Sequence, residues 1–199
     1  METQDTIHEF WFGSSPSDAA VIREKSALWW GKDADTDAAM GRRFRRAVLA
    51  AESGTLDAWS RTADGRLALI LLTDQFPRNI FRGHGRSFAF DALARSWCLD
   101  GLRERCDRQL RPVERIFYYL PLEHSEDLDH QQRGVALFEE LAAEAPAELK
   151  ESFFSYLDFA RRHHAIIARF GRFPHRNEAL GRISTDAELA FLREPGSRF

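Results

Sequence analysis

Histidines, carboxylates and arginines recur in this chain where helices must end, and together they are the groups that move protons and hold anions. Phe76-Pro77-Arg78-Asn79 and Phe173-Pro174-His175-Arg176-Asn177 repeat one wording in two distant places. Each follows an apolar run of helical character, and a glycine, Gly83 or Gly181, comes soon after. Proline forbids helix continuation and drives the preceding Phe toward extended backbone, so both stretches read as helix exits with unpaired carbonyls. Arg78, Asn79, Arg176 and Asn177 then have two uses open to them. They can cap those carbonyls, or they can line a pocket that both turns share.

A third stretch, Leu120-Pro121-Leu122-Glu123-His124-Ser125-Glu126-Asp127, sets one histidine and three acids within five positions, where a proline stops one helix and Ser125 can start the next. Acids at a helix start are favoured by the helix dipole, yet these point in different directions, and one or two can face inward. Polar residues inside apolar helical arcs are the other signal, because each one buried without a partner costs about 1–3 kcal/mol. Along Phe153 to Phe170, His163 and His164 fall within the arc of Phe153, Tyr156, Leu157, Phe159 and Ile166. At least one of the two is expected to bond a carboxylate, with Asp127, Asp74 and Glu126 as candidates. Along Ser125 to Ala145, Asp127 and Gln131 fall among Leu128, Val135, Phe138 and Leu141. Asp74 projects between Leu67, Ile70 and Leu71 of a segment apolar almost all round, and so needs Arg78 or a histidine beside it.

The acid/base candidates are therefore His124, His163, His175, Asp74 and Glu126. The ligand-binding candidates are Arg78, Asn79, Asp127, Gln131, His164, Arg176, Asn177 and Trp30. Trp29 and Trp30 are neighbours at a helix end, so only one can point fully inward and the other is available to floor a pocket.

The elements that must position these groups are helices. Thr36 as N-cap opens a run to about Glu52, with Ala39, Phe44, Ala47, Val48 and Ala51 at helical spacing. A short piece with Leu56 and Trp59 follows, then Asp64 to Phe76, Arg86 to Asp100, and Val113 to Leu120 behind Pro112 at N1. Two longer helices span about Ser125 to Ala145 and Pro146 to Gly171, and Ser184 or Thr185 caps a last one toward Leu192. No alternating segment bounded by turn dipeptides intervenes. The pattern predicts an all-α fold of antiparallel helix pairs in one domain over residues 1–199.

Composition narrows the function classes. The chain has 199 residues, 16 of them Phe, enough to bury a real core. A formal charge of -3 gives no footprint for nucleic acid, and Arg42-Arg43-x-Arg45-Arg46 lies within a helical pattern as a solvated face. Cys98 and Cys106 match neither a redox pair nor a zinc knuckle, which fits a reducing cytoplasm. Met1 to Gly13 lacks the layout of a signal peptide, and the longest aliphatic run, Leu67 to Leu72, is far short of a membrane span. A soluble, cytoplasmic protein is expected.

Trp29-Trp30-Gly31-Lys32-Asp33, Asp74-Gln75-Phe76-Pro77-Arg78-Asn79, the Leu120 to Asp127 stretch and Gly171-Arg172-Phe173-Pro174-His175-Arg176-Asn177, followed by Leu180-Gly181-Arg182 and Ser184-Thr185, resemble the bacterial family called domain of unknown function 924. The likeness runs from about Phe10 to Leu192. It implies a tetratricopeptide-like fold, a right-handed superhelix of helix pairs, although the 34-residue repeat consensus is not visible. It brings no established activity. Thr73 stands where the family pattern suggests an aliphatic residue.

Three readings of function follow. In the first, the histidines and Asp74 supply acid/base groups in a buried pocket, and the arginines hold a small anionic or amide-bearing substrate. In the second, a non-catalytic helical scaffold binds a peptide or protein partner. In the third, the acids and seven histidines hold a metal, with Asp127-x-x-His130 as half of a carboxylate-bridged motif; the second half is missing, so no cofactor is assigned. The sequence leaves the oligomeric state open.

Overall fold

Side-chain caps set many of the helix starts in the computed structural model, which describes residues 2–197. Thr3 opens α1 (Gln4–Phe12), Ser17 opens α2 (Asp18–Trp30) and Asp33 opens α3 (Ala34–Glu52), each side chain accepting a first-turn backbone N–H. Thr62 does the same for α4 (Ala63–Ile70), Asp127 for α8 (Leu128–Glu144) and Thr185 for α10 (Asp186–Phe191). The remaining helices are α5 (Phe76–Ile80), α6 (Asp91–Arg103), α7 (Pro112–Glu123) and α9 (Lys150–Phe170). Among the described residues there is no strand, so the chain is all-α as the pattern predicts.

The three expected proline stops do not behave alike. Pro77 does not end its helix: a π turn at Leu71–Gln75 precedes it, and α5 follows directly. The wider turn, in which Phe76 N–H bonds the carbonyl of Leu71, makes room for a proline ring that would otherwise press on the preceding turn. Thr73 fits this turn because its hydroxyl donates to the carbonyl of Leu69 at 2.7 Å. Pro121 likewise lies inside α7, where its fixed φ is already helical and only one N–H is lost. Phe173-Pro174, in contrast, is a true exit. Gly171 closes α9 at φ 68°, a left-handed conformation that glycine adopts without cost, and a 3-10 turn covers Pro174–Arg176.

Several boundaries move by a few residues. Asp33, not Thr36, caps α3; Asp127, not Ser125, caps α8. Short 3-10 turns at Gly85–Phe88 and Ala147–Leu149 take up the expected starts of α6 and α9. In each case an acid or a tighter turn satisfies the first N–H groups better than the residue chosen from the apolar pattern.

The segment of α4, the π turn and α5 is the centre of the molecule. Leu67 to Leu72 are fully buried, packed among α3, α6 and α7. Phe76 meets Phe44 at 4.9 Å and Trp11 at 5.4 Å between ring centroids, and Trp11 meets Phe117 edge-on at 5.5 Å. Such pairs add roughly 0.5–1.5 kcal/mol each beyond the area they bury. Helices α7, α8 and α9 pack as successive antiparallel neighbours. Arg115 near the start of α7 bonds Glu144 at the end of α8, and Arg161 in α9 bonds Glu139. Therefore α7 and α9 run parallel, and their C-terminal ends arrive together.

Candidate active site

The C-terminal end of α7 delivers His124 beside the π turn. Its Nδ1 lies 2.8 Å from Oδ1 of Asp74, which is wholly buried. Asp74 is ionised: burial works against its charge, but His124 and Arg78 outweigh that and hold the carboxyl well below the ordinary range. An ionised carboxylate only accepts, so His124 donates from Nδ1 and keeps Nε2 as its basic nitrogen. Gln75 supports the same carboxylate by donating Nε2–H to Oδ2. Burial and the neighbouring Arg78 push the His124 pKa down, against the pull of Asp74. That shift favours the neutral ring.

Two arginines stand next to it. Arg78 donates to both oxygens of Asp91 at 3.1 and 3.2 Å and reaches Asp74 at 3.4 Å. Arg176 donates Nη1 to Asp91 at 3.2 Å and to the carbonyl of His124 at 3.1 Å. Its guanidinium is held between the faces of Phe88 and Phe173, 4.7 and 4.5 Å from the ring centres. The expected capping of their own helices does not occur. Arg176 instead bonds a carbonyl at the end of α7, and the two Phe-Pro turns meet through Asp91. Burial and the charge of Arg78 lower the Arg176 pKa to about 10, which still leaves it protonated.

Helix α9 adds His163, buried, with Nδ1 2.9 Å from the carbonyl of Phe159 and 3.1 Å from Oε1 of Glu123. A carbonyl accepts only, so Nδ1 carries the proton. The acid beside His163 is thus Glu123, not Asp127, Asp74 or Glu126. Burial, reinforced by the charge of Asp74 and partly offset by Arg78, pushes the Glu123 carboxyl up to about 8. It is a protonated acid at pH 7. His175, pushed down to about 3 by burial and the two arginines, is neutral.

These groups border one cavity of about 640 Å³, within the usual range for a small-molecule site. Arg78, Asn79, Glu123, His124, His163, His175, Arg176 and Trp30 line it, and Asp74 and Asp91 stand behind the wall. Trp29 packs inward, while Trp30 is half exposed and stacks on Phe117. A wider depression of about 710 Å³ lies over α3 and α5, but its Arg82 and Asn79 are already bonded to Asp37.

Five of the sequence candidates lie away from the cavity. Glu126 pairs with Arg182 at 2.6 Å and accepts the N–H of Phe173 at 2.8 Å, which ties down the second turn. Asp127 is the exposed cap of α8. Gln131 is buried and donates to the carbonyl of Ser125 at 2.7 Å, holding the loop between α7 and α8. Asn177 bonds Ser184 at 2.9 Å. His164 is only partly buried and is not among the lining residues. Glu123 and Asp91 are the groups that sequence reasoning passed over. Glu123 was the one acid of its stretch still within α7, a position that a helix continuing through Pro121 would have marked. Asp91, at the start of α6, carried no signal beyond an ordinary first-turn acid. Among the described residues no three His, Cys, Asp or Glu are grouped to hold a metal ion.

The chain matches the family described as bacterial protein of unknown function, DUF924, over residues 7–196. It is also similar to the structure of a protein of unknown function from Agrobacterium tumefaciens, at 37% identity and a TM-score of 0.81, with 96% of each chain covered. Among curated proteins none matches. By its motifs and this match over residues 7–196, the chain belongs to the bacterial DUF924 family.

Proposed function

We propose that the cavity binds a small anionic or amide-bearing molecule and converts it by acid/base chemistry. The observation that carries this reading is the Asp74–His124 contact of 2.8 Å in a wall that also holds Arg78 and Arg176. Asp74 fixes the ring and its tautomer, and the neutral Nε2 of His124 takes a proton from the substrate. Glu123, adjacent in sequence and kept protonated, is placed to give one back. The arginines hold the negative or carbonyl end. Two buried, unbridged cysteines support work in a reducing cytoplasm.

The test is a metabolite-library screen on the purified chain and on His124→Asn. The variant is expected to fold normally and to lose the turnover of the parent. Turnover that survives both His124→Asn and His175→Asn overturns the assignment. The alternative, a tetratricopeptide-like module for a peptide partner, draws on Trp30, Phe154 and Phe159, which are about half exposed. A co-purifying peptide without any turnover would favour it.

A further inference from the structure

Resting on that reading of the cavity, we infer that its ligand is amphipathic, a carboxylate head joined to an apolar tail. The parallel course of α7 and α9 grades the cavity wall from one end to the other. Trp30 lies against Phe117 of α7 and Tyr156 of α9, at ring distances of 5.7 and 5.8 Å, so the N-terminal halves of both helices meet there. At the other end Glu123 of α7 meets His163 of α9 at 3.1 Å. These two levels are seven positions apart along α9, about 10 Å of helix. Over that length the lining residues change from Ile116 and Tyr156, through Leu120 and Phe159, to the acid and the histidines. A ligand that filled only the polar end would leave an aromatic wall wetted, and one that was wholly apolar would leave the guanidinium groups of the lining unused.

The head is a single negative charge. Asp74 and Asp91 already pair with Arg78 and Arg176, and Asp37 with Arg82, so the arginines are balanced before the ligand arrives; Lys32, next to Trp30 and Gly31, is the one lining cation with no ion pair among the described residues. The attraction of the polar end comes from donors and not from a large excess of charge. The Nε of Arg176 is buried and has no hydrogen-bond partner among the described residues, so its fork retains capacity for a carboxylate.

Calorimetric titration of the full chain with octanoate, butyrate and 1-octanol tests this. Octanoate is expected to bind at least tenfold more tightly than either of the others. Trp30→Ala and Phe159→Ala, both at partly exposed positions, are expected to weaken octanoate at least fivefold and leave butyrate unchanged, with melting curves confirming folded variants. Equal affinity for butyrate and octanoate, or no octanoate binding, overturns the tail and leaves the small-anion reading to the library screen. Octanol bound as tightly as octanoate overturns the head, and with it the role given to the arginines.

Discussion

Arg78 and Arg176 come from distant parts of the chain and converge on one atom, Oδ2 of Asp91, each at 3.2 Å. The two cations would repel without it, and the depressed pKa of Arg176 records burial and that repulsion. Asp91 is thus the joint between the two Phe-Pro turns.

Asp91→Asn keeps the size of the side chain and removes its charge. We expect a loss of about 2–3 kcal/mol in urea unfolding, below the figure for a wholly buried pair because Arg78 is partly exposed. A loss below about 0.5 kcal/mol would show that the turns are held by other contacts.

Glu123 gives stability a definite pH dependence. Its folded pKa, about 8, lies above the ordinary 4.5, so between those values the folded chain binds the extra proton. Stability from this group is full below pH 4.5 and is lost as pH rises toward 8. Glu123→Gln mimics the neutral acid and should be the more stable protein at pH 8, by at least about 1 kcal/mol, with a smaller difference at pH 5. An unchanged difference across that range would mean that Glu123 is ionised throughout.

The same group should shape catalysis. If Glu123 donates a proton, turnover declines above pH 8 in the parent, and Glu123→Gln loses activity at every pH while remaining folded. A rate profile that stays flat through pH 9 would remove Glu123 from the chemistry. His124, with its pKa below the ordinary value, should keep the acid limb of that profile below pH 6.5.

Glu126 offers a contrast with Glu123 three positions away. It is held below the ordinary carboxylate range because Arg182 and the Phe173 N–H outweigh its burial. Glu126→Gln should cost about 1–2 kcal/mol in thermal or urea unfolding, and this stabilisation should fade as pH falls below 4.5. Turnover measured well below the melting temperature should drop far less than in His124→Asn. An equal drop would place Glu126 back among the acid/base groups.

Much of this is legible in the sequence. Helix existence followed from apolar spacing, and the burial of Asp74 and His163 followed from their places within apolar arcs. What the pattern could not supply was rotation. An apolar arc assumes an unbroken helical turn, yet Leu71–Gln75 is widened and Pro121 is absorbed, so the ends of α5 and α7 point where uniform spacing does not predict. The partners of each charge were equally hidden, because Asp91 and Arg176 are joined only by the tertiary fold. Gln131 and Asp127 fell in an apolar arc for a plainer reason: they secure the loop that starts α8.

The π turn also fixes a rotation along the central helix. A turn of this kind amounts to one inserted residue in a helix, and one residue corresponds to about 100° of rotation. Leu67 to Leu72 upstream belong to the core, whereas Asp74, Arg78 and Asn79 belong to the cavity wall and its backing. The widened turn therefore sets the phase between a segment that packs in the core and a segment that borders the cavity. Deleting one residue there would leave the hydrophobic centre its own sequence and swing the downstream polar groups away from His124 and Asp91. In that sense the turn works as a splice between two independent codes written on one helix.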